Sequence, residues 1–74
     1  MRKKLSEMSY GEQGIVESIE ASLRSKIAGI GIREGKKIRM ATRQPLKGPI
    51  VVEVDNSFTS LGLGIAEKII VAVR

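Results

Sequence analysis

The chain contains no cysteine and no histidine. The first absence rules out a disulfide framework and a thiolate metal site. The second removes the commonest transition-metal ligand and the commonest general base. Tyr10 and Phe58 are the only aromatic residues, too few for a platform on which nucleobases stack. Long apolar runs are missing as well. The longest, Ile69 to Val73, is far too short to span a bilayer. Met1-Arg2-Lys3-Lys4 could open a signal peptide, but the stretch Leu5 to Glu12 that follows is mostly polar. The expectation is a soluble, unexported protein.

What is present is short. Seventy-four residues make one domain, spanning 1–74. Scaling laws give about 4,500 Å² exposed when folded, against about 11,700 Å² unfolded. A core of that size seldom supplies more than about 3–5 kcal/mol. With disulfides and thiolate metals excluded, a docked partner or weak self-association is the remaining aid to stability. Thirteen Lys and Arg stand against eight Asp and Glu, for a net charge of +5. That balance suits an acidic protein, a nucleic acid or an anionic membrane surface, and selects none of them.

Glycine punctuates the chain, as in small all-β domains. Gly11 and Gly14 bracket a turn before a first strand, Ile15 to Ile19. Val16 and Ile19 are its inward residues, and their three-residue spacing, wrong for a regular strand, suggests a bulge near Glu17. Leu23, Ile27 and Ile30 fall at i, i+4 and i+7, one helical stripe. Ser22 is its candidate N-cap, and Gly29 and Gly31 supply the stop. After Gly35 the period becomes two: Ile38, Met40 and Thr42 point one way, Lys37, Arg39, Ala41 and Arg43 the other. Gln44 to Pro49 reads as a loop, Ile50 to Val54 as a third strand, Asp55-Asn56 as a turn and Ser57 to Leu61 as a fourth strand. Gly62 to Glu67 is a single helical turn. Lys68 to Val73 is a fifth strand, apolar on both faces, which a small closed barrel would bury. The fold class expected is mainly β: a small five-stranded SH3-like barrel with one short helix between the first and second strands.

Catalysis has little to stand on. Glu17/Glu20 and Glu53/Asp55 are the carboxylate pairs available for acid–base work, and both read as solvated surface charges. So small a core leaves no room for a substrate pocket. Gly29-Ile30-Gly31-Ile32-Arg33-Glu34-Gly35 has glycine spacing one residue too long for a dinucleotide fingerprint, and it runs from helix to strand, the wrong way. No carboxylate cluster is dense enough for a hard cation. The reading is therefore a binding module without enzymatic activity, small-molecule substrate, cofactor or metal site. Two surfaces are candidates. One is the apolar corner where the helix stops at glycine, with Lys26, Ile27, Ile30, Gly31 and Ile32. The other is the basic strand face of Lys37, Arg39 and Arg43, which could track phosphates or meet an acidic surface.

Four stretches, in order, resemble a known family. Leu5 to Val16 contains Gly11-Glu12-Gln13-Gly14 leading into a strand. Arg24 to Gly35 is a helix ending in an apolar residue and glycine. Gln44-Pro45-Leu46-Lys47-Gly48-Pro49 is a proline–glycine hairpin loop. Leu61, Ala66, Ile69 and Val71 mark a closing turn and strand. Together they resemble the ferrous-iron transport protein A (FeoA) family. Two positions depart from its pattern: Ile27 stands where leucine is usual, and Gly62 where a basic residue often follows Leu61. The resemblance implies an SH3-like barrel and an accessory role in bacterial ferrous-iron uptake. It also implies a protein partner, the cytosolic part of the permease FeoB, and hence a cytoplasmic location that reaches the membrane only through that partner. Two alternatives remain open: a nucleic-acid-binding small barrel, and a stand-alone regulatory domain that contacts an iron-dependent repressor.

Overall fold

Alternating apolar residues separated by tight turns produce six antiparallel strands. The computed structural model describes the backbone of residues 1–43 and 48–74, and the side chains of 1–42 and 48–74. The strands are β1 (Arg2–Lys4), β2 (Gln13–Ile19), β3 (Lys37–Arg43), β4 (Ile50–Val54), β5 (Ser57–Leu61) and β6 (Ile69–Val73). Two short helices, α1 (Arg24–Ala28) and α2 (Leu63–Ala66), lie between β2 and β3 and between β5 and β6. The strand order in the sheet is β1-β6-β2-β3-β4-β5. Of the expected loop, Gln44, Pro45, Leu46 and Lys47 lie outside the described residues.

The mainly-β class holds, and the helix sits where the pattern put it. Among the described residues the strands number six, not five, because Arg2–Lys4 pairs with β6 through Arg2↔Ala72, Lys3↔Val71 and Lys4↔Ile70. Three consecutive cations carry no apolar alternation, so nothing marks them as a strand. The following stretch, mostly polar in sequence, nevertheless reaches the core. Its 3₁₀ turn at Leu5–Glu7 has three residues per turn, which sets Leu5 and Met8 on one side. Both are fully buried.

Among the described residues, hydrogen bonding does not close the sheet into a ring. The strand order leaves β1 and β5 as its two edges. One face nevertheless curls round a single core. Val16, Ile19, Ile38, Met40, Ile50, Val52, Leu61, Ile69 and Val71 join Leu5, Met8, Leu23, Ile27, Ile32 and Ala66 in one cluster. Curling this tightly presses strands together at Gly14, which belongs to β2 rather than to the preceding turn. A Cβ there would lie 2.2 Å from the Ala72 carbonyl oxygen of β6.

The bulge expected near Glu17 is present: the β2–β6 register shifts between Val16 and Ser18. Both Val16 and Ile19 therefore face the core despite their odd spacing. A second bulge was not foreseen. The β3–β4 register shifts between Met40 and Thr42, so Ala41 is the extra residue. Ile38 and Met40 are buried as expected, whereas Thr42 is turned out to solvent. The period-two alternation is interrupted at this bulge.

The β4–β5 hairpin turns on Asp55 and Asn56, with φ of 52° and 65°. Two consecutive left-handed residues make the tight turn whose twist matches its strands, and Asp and Asn tolerate that region best after glycine. Ser22 does not cap α1. Its hydroxyl donates to Glu20 Oε1 at 2.9 Å, and no side chain caps that helix.

Candidate functional site

The corner after α1 is built by backbone chemistry. Helix α1 ends on Gly31, whose φ of +89° only glycine adopts cheaply. Two hydrogen bonds close the end: Ile32 N–H donates to the Ile27 carbonyl at 3.1 Å, and Gly31 N–H to that of Ala28 at 3.1 Å. This nested pair is the Schellman arrangement, which brings the residue after the glycine against one a turn earlier. Ile27 and Ile32 are those two residues, and both are buried, at 3% and 1% exposure. Ile30 is left outside the pair and is 44% exposed.

The five residues singled out from sequence therefore divide. Ile27 and Ile32 are core residues that shape the corner, turned inward by the Schellman closure. Lys26 and Ile30 are exposed and Gly31 is half-buried. The contact set read from sequence does not include Arg33 or Glu34. Arg33 is exposed beside the corner. Glu34 holds it in place: Oε2 accepts from the Ile19 backbone N–H at 3.2 Å and from Arg24 Nη2 at 3.1 Å. Arg24 Nε also donates to the Ile19 carbonyl at 3.3 Å. One carboxylate thus fastens the corner to the end of β2. The charge alternation Arg24…Glu34 was visible in the sequence, but the contact spans ten positions. Ile19, Arg24, Ala28, Ile32, Arg33 and Glu34 line a shallow cavity of about 160 Å³ here. Among the described residues, Lys26 and Arg33 enter no salt bridge.

The basic strand face is less basic than its sequence. Lys37 is exposed, and Arg39 is held by Glu53, with Nη2 2.6 Å and Nε 2.8 Å from Oε1. Lys36 reaches Asp55 at 2.8 Å. A groove of about 280 Å³ is lined by Gln13, Lys37, Ile38, Arg39, Glu53, Asp55 and Asn56. Its two carboxylates, Glu53 and Asp55, offset the positive charge that a phosphate backbone would need. The side chain of Arg43 falls outside the described residues.

The carboxylate pairs considered for catalysis are spoken for one by one. Glu17 pairs with Arg2, Glu20 lies 3.9 Å from Lys68, Glu53 holds Arg39, and Asp55 holds Lys36. Among the described residues, no three Asp or Glu converge as a metal site. No helix among the described residues is long and apolar enough to cross a membrane.

With this geometry in view, the comparisons with known proteins are decisive. The FeoA domain model matches residues 3–73. The chain belongs to the FeoA domain family. Its structure is similar to a crystal structure of an FeoA iron-uptake regulatory protein, with a TM-score of 0.89 and 32% identity over 100% of this chain and 99% of that one. It is also similar to part of a manganese-dependent transcriptional repressor, with a TM-score of 0.88 and 28% identity over 99% of this chain and 42% of that one. The fold further matches Stenotrophomonas maltophilia FeoA in complex with zinc, a protein described as a prokaryotic SH3-domain protein, with a TM-score of 0.79 and 22% identity over 95% and 89% of the two chains. A search of curated proteins returns no significant match. This FeoA domain thus belongs to an accessory, ferrous-iron transport-associated family.

Proposed function

We propose that this FeoA domain is a cytoplasmic protein-interaction module that docks on the cytosolic part of the ferrous-iron permease FeoB and tunes transport. The observation that carries this reading is Ile30. It is the exposed apolar residue of a rigidly closed corner, set between Lys26 and Arg33. An apolar anchor ringed by polar and charged groups is the common pattern of a binding hot spot. The two cations call for an acidic rim on the partner, which would speed encounter more than it would strengthen the complex. Iron is the cargo of the permease in this scheme. Membrane proximity comes only through the partner.

The test is a pull-down with the cytosolic domain of the permease. Ile30→Glu should abolish capture and leave the thermal midpoint unchanged. Undiminished capture would overturn the assignment of the corner. A second reading draws on the likeness to the repressor's domain: a stand-alone regulatory domain using the same corner on a metal-dependent repressor. Capture of the repressor in place of the permease would select it.

A further inference from the structure

The two edges of the sheet are treated very differently. Strand β1 is three residues long and wholly cationic, Arg2-Lys3-Lys4. Short length and lysine are the standard means of keeping another strand from adding to an edge. Strand β5 has neither. Its five residues, Ser57-Phe58-Thr59-Ser60-Leu61, carry no charge and no proline, and its ladder with β4 runs without a bulge. Phe58 projects from it with 61% exposure.

The hairpin register defines what that edge offers. A two-residue turn makes Val54 and Ser57 a hydrogen-bonded pair, and such pairs alternate along the ladder. Val52↔Thr59 and Ile50↔Leu61 are therefore the next bonded pairs. The N–H and C=O groups of Phe58 and Ser60 point away from β4. Among the described residues, no backbone group elsewhere in the chain bonds them.

We propose that β5 is a self-association edge, on which a second copy of this chain pairs antiparallel about Thr59. The strand complements itself under that two-fold axis. Setting Thr59 opposite its counterpart places each Phe58 opposite the other copy's Ser60. Both are positions whose free groups point outward, so four backbone hydrogen bonds form. The two Phe58 rings then stand diagonally across the joint, about 7–8 Å apart at the backbone, within reach of aromatic side chains. Apolar surface now wetted would be covered. The joint is narrow, well below the area of a stable interface, so the dimer is weak. Each copy carries +5, which opposes association until salt screens it. An uncharged edge on a cationic domain makes the dimer one that salt strengthens.

Sedimentation equilibrium of the full chain tests this, from tens of micromolar to about 1 mM, at low salt and at about 0.5 M salt. The average mass should climb toward the dimer, more so at high salt. Ser60→Lys restores the missing edge charge and should weaken association at least tenfold. Phe58→Ser should weaken it severalfold, and it serves alone if the first variant misfolds. Amide shifts on dilution should centre on Phe58, Thr59 and Ser60. A monomer at every concentration would overturn the proposal, as would a dimer indifferent to both variants. An edge filled only by a strand of another protein, with no self-association, would overturn it too.

Discussion

Adding one methyl group at Gly14 should cost this domain close to half its stability. The added Cβ would sit 2.2 Å from the Ala72 carbonyl oxygen, 2.8 Å from its carbon and 2.9 Å from Val71 Cγ1. Two of these three atoms are backbone, so no rotamer change relieves the contact. Non-bonded heavy atoms settle at about 3.5–4.0 Å, so β2 and β6 would have to part by about 1 Å. That displacement falls on the pairs Gly14↔Val73 and Ile15↔Ala72 and on the buried Val71 and Val73 behind them. Overpacking of this kind costs about 1–3 kcal/mol. Taking about 2 kcal/mol, a domain of this size loses about 8–16 °C in thermal midpoint. Gly64 is the matched control. It lies in α2 with nothing within 4 Å of an added Cβ. Gly64→Ala should gain about 0.5–1 kcal/mol by restricting the unfolded chain. Thermal and urea denaturation of both variants, followed by circular dichroism, reads the contrast. A Gly14→Ala protein as stable as wild type would refute the claim that curling of the sheet is what requires glycine there.

Three further outcomes follow from the geometry. Glu12 accepts from the Ser9 backbone N–H at 2.7 Å and from Lys3 Nζ at 3.0 and 3.1 Å, and these bonds, Ser9 first, hold its carboxyl below the usual range. A depressed native pKa makes its contribution complete above the unfolded value of about 4.3 and lost as pH falls through the native value; Glu12→Gln should flatten the acid limb of a stability–pH curve, and an unchanged limb contradicts this. Asn56 holds φ of 65°, so Asn56→Val should cost about 1–2 kcal/mol in urea denaturation, and a neutral result would show that the turn relaxes freely. Ile27→Ala opens a cavity in the core and should cost about 2–5 kcal/mol, while Ile30→Ala should be nearly silent in stability; equal effects would contradict the inward and outward placement of the two.

Most of the fold was legible because strands of this kind announce themselves. Ile50 to Val54 and Ile69 to Val73 are β-branched runs between turn residues, and the structure places strands there. Even the bulge at Glu17 was visible, since Val16 and Ile19 could not both face inward without it. The strand β1 was not legible, because its warrant is tertiary: Arg2–Lys4 is a strand only because β6 offers a free edge. The bulge at Ala41 was hidden for the opposite reason. Thr42 is compatible with either face, so the pattern gave no sign of the slip. The helix stop at the corner was legible from its glycines. Which isoleucine faces outward depends on two backbone hydrogen bonds that no spacing displays. The anchor at Glu34 needed a contact across ten positions.

The central claim is that the corner at Ile30 is where this FeoA domain meets its partner. A titration of the isotope-labelled domain with the cytosolic domain of the ferrous-iron permease, followed by amide NMR, tests it most directly. The account predicts shifts concentrated at Lys26, Ile30, Gly31 and Arg33, all absent in Ile30→Glu. Binding that moves only β5 or the Lys37–Arg39 face, or no shift at high micromolar concentration, would contradict it.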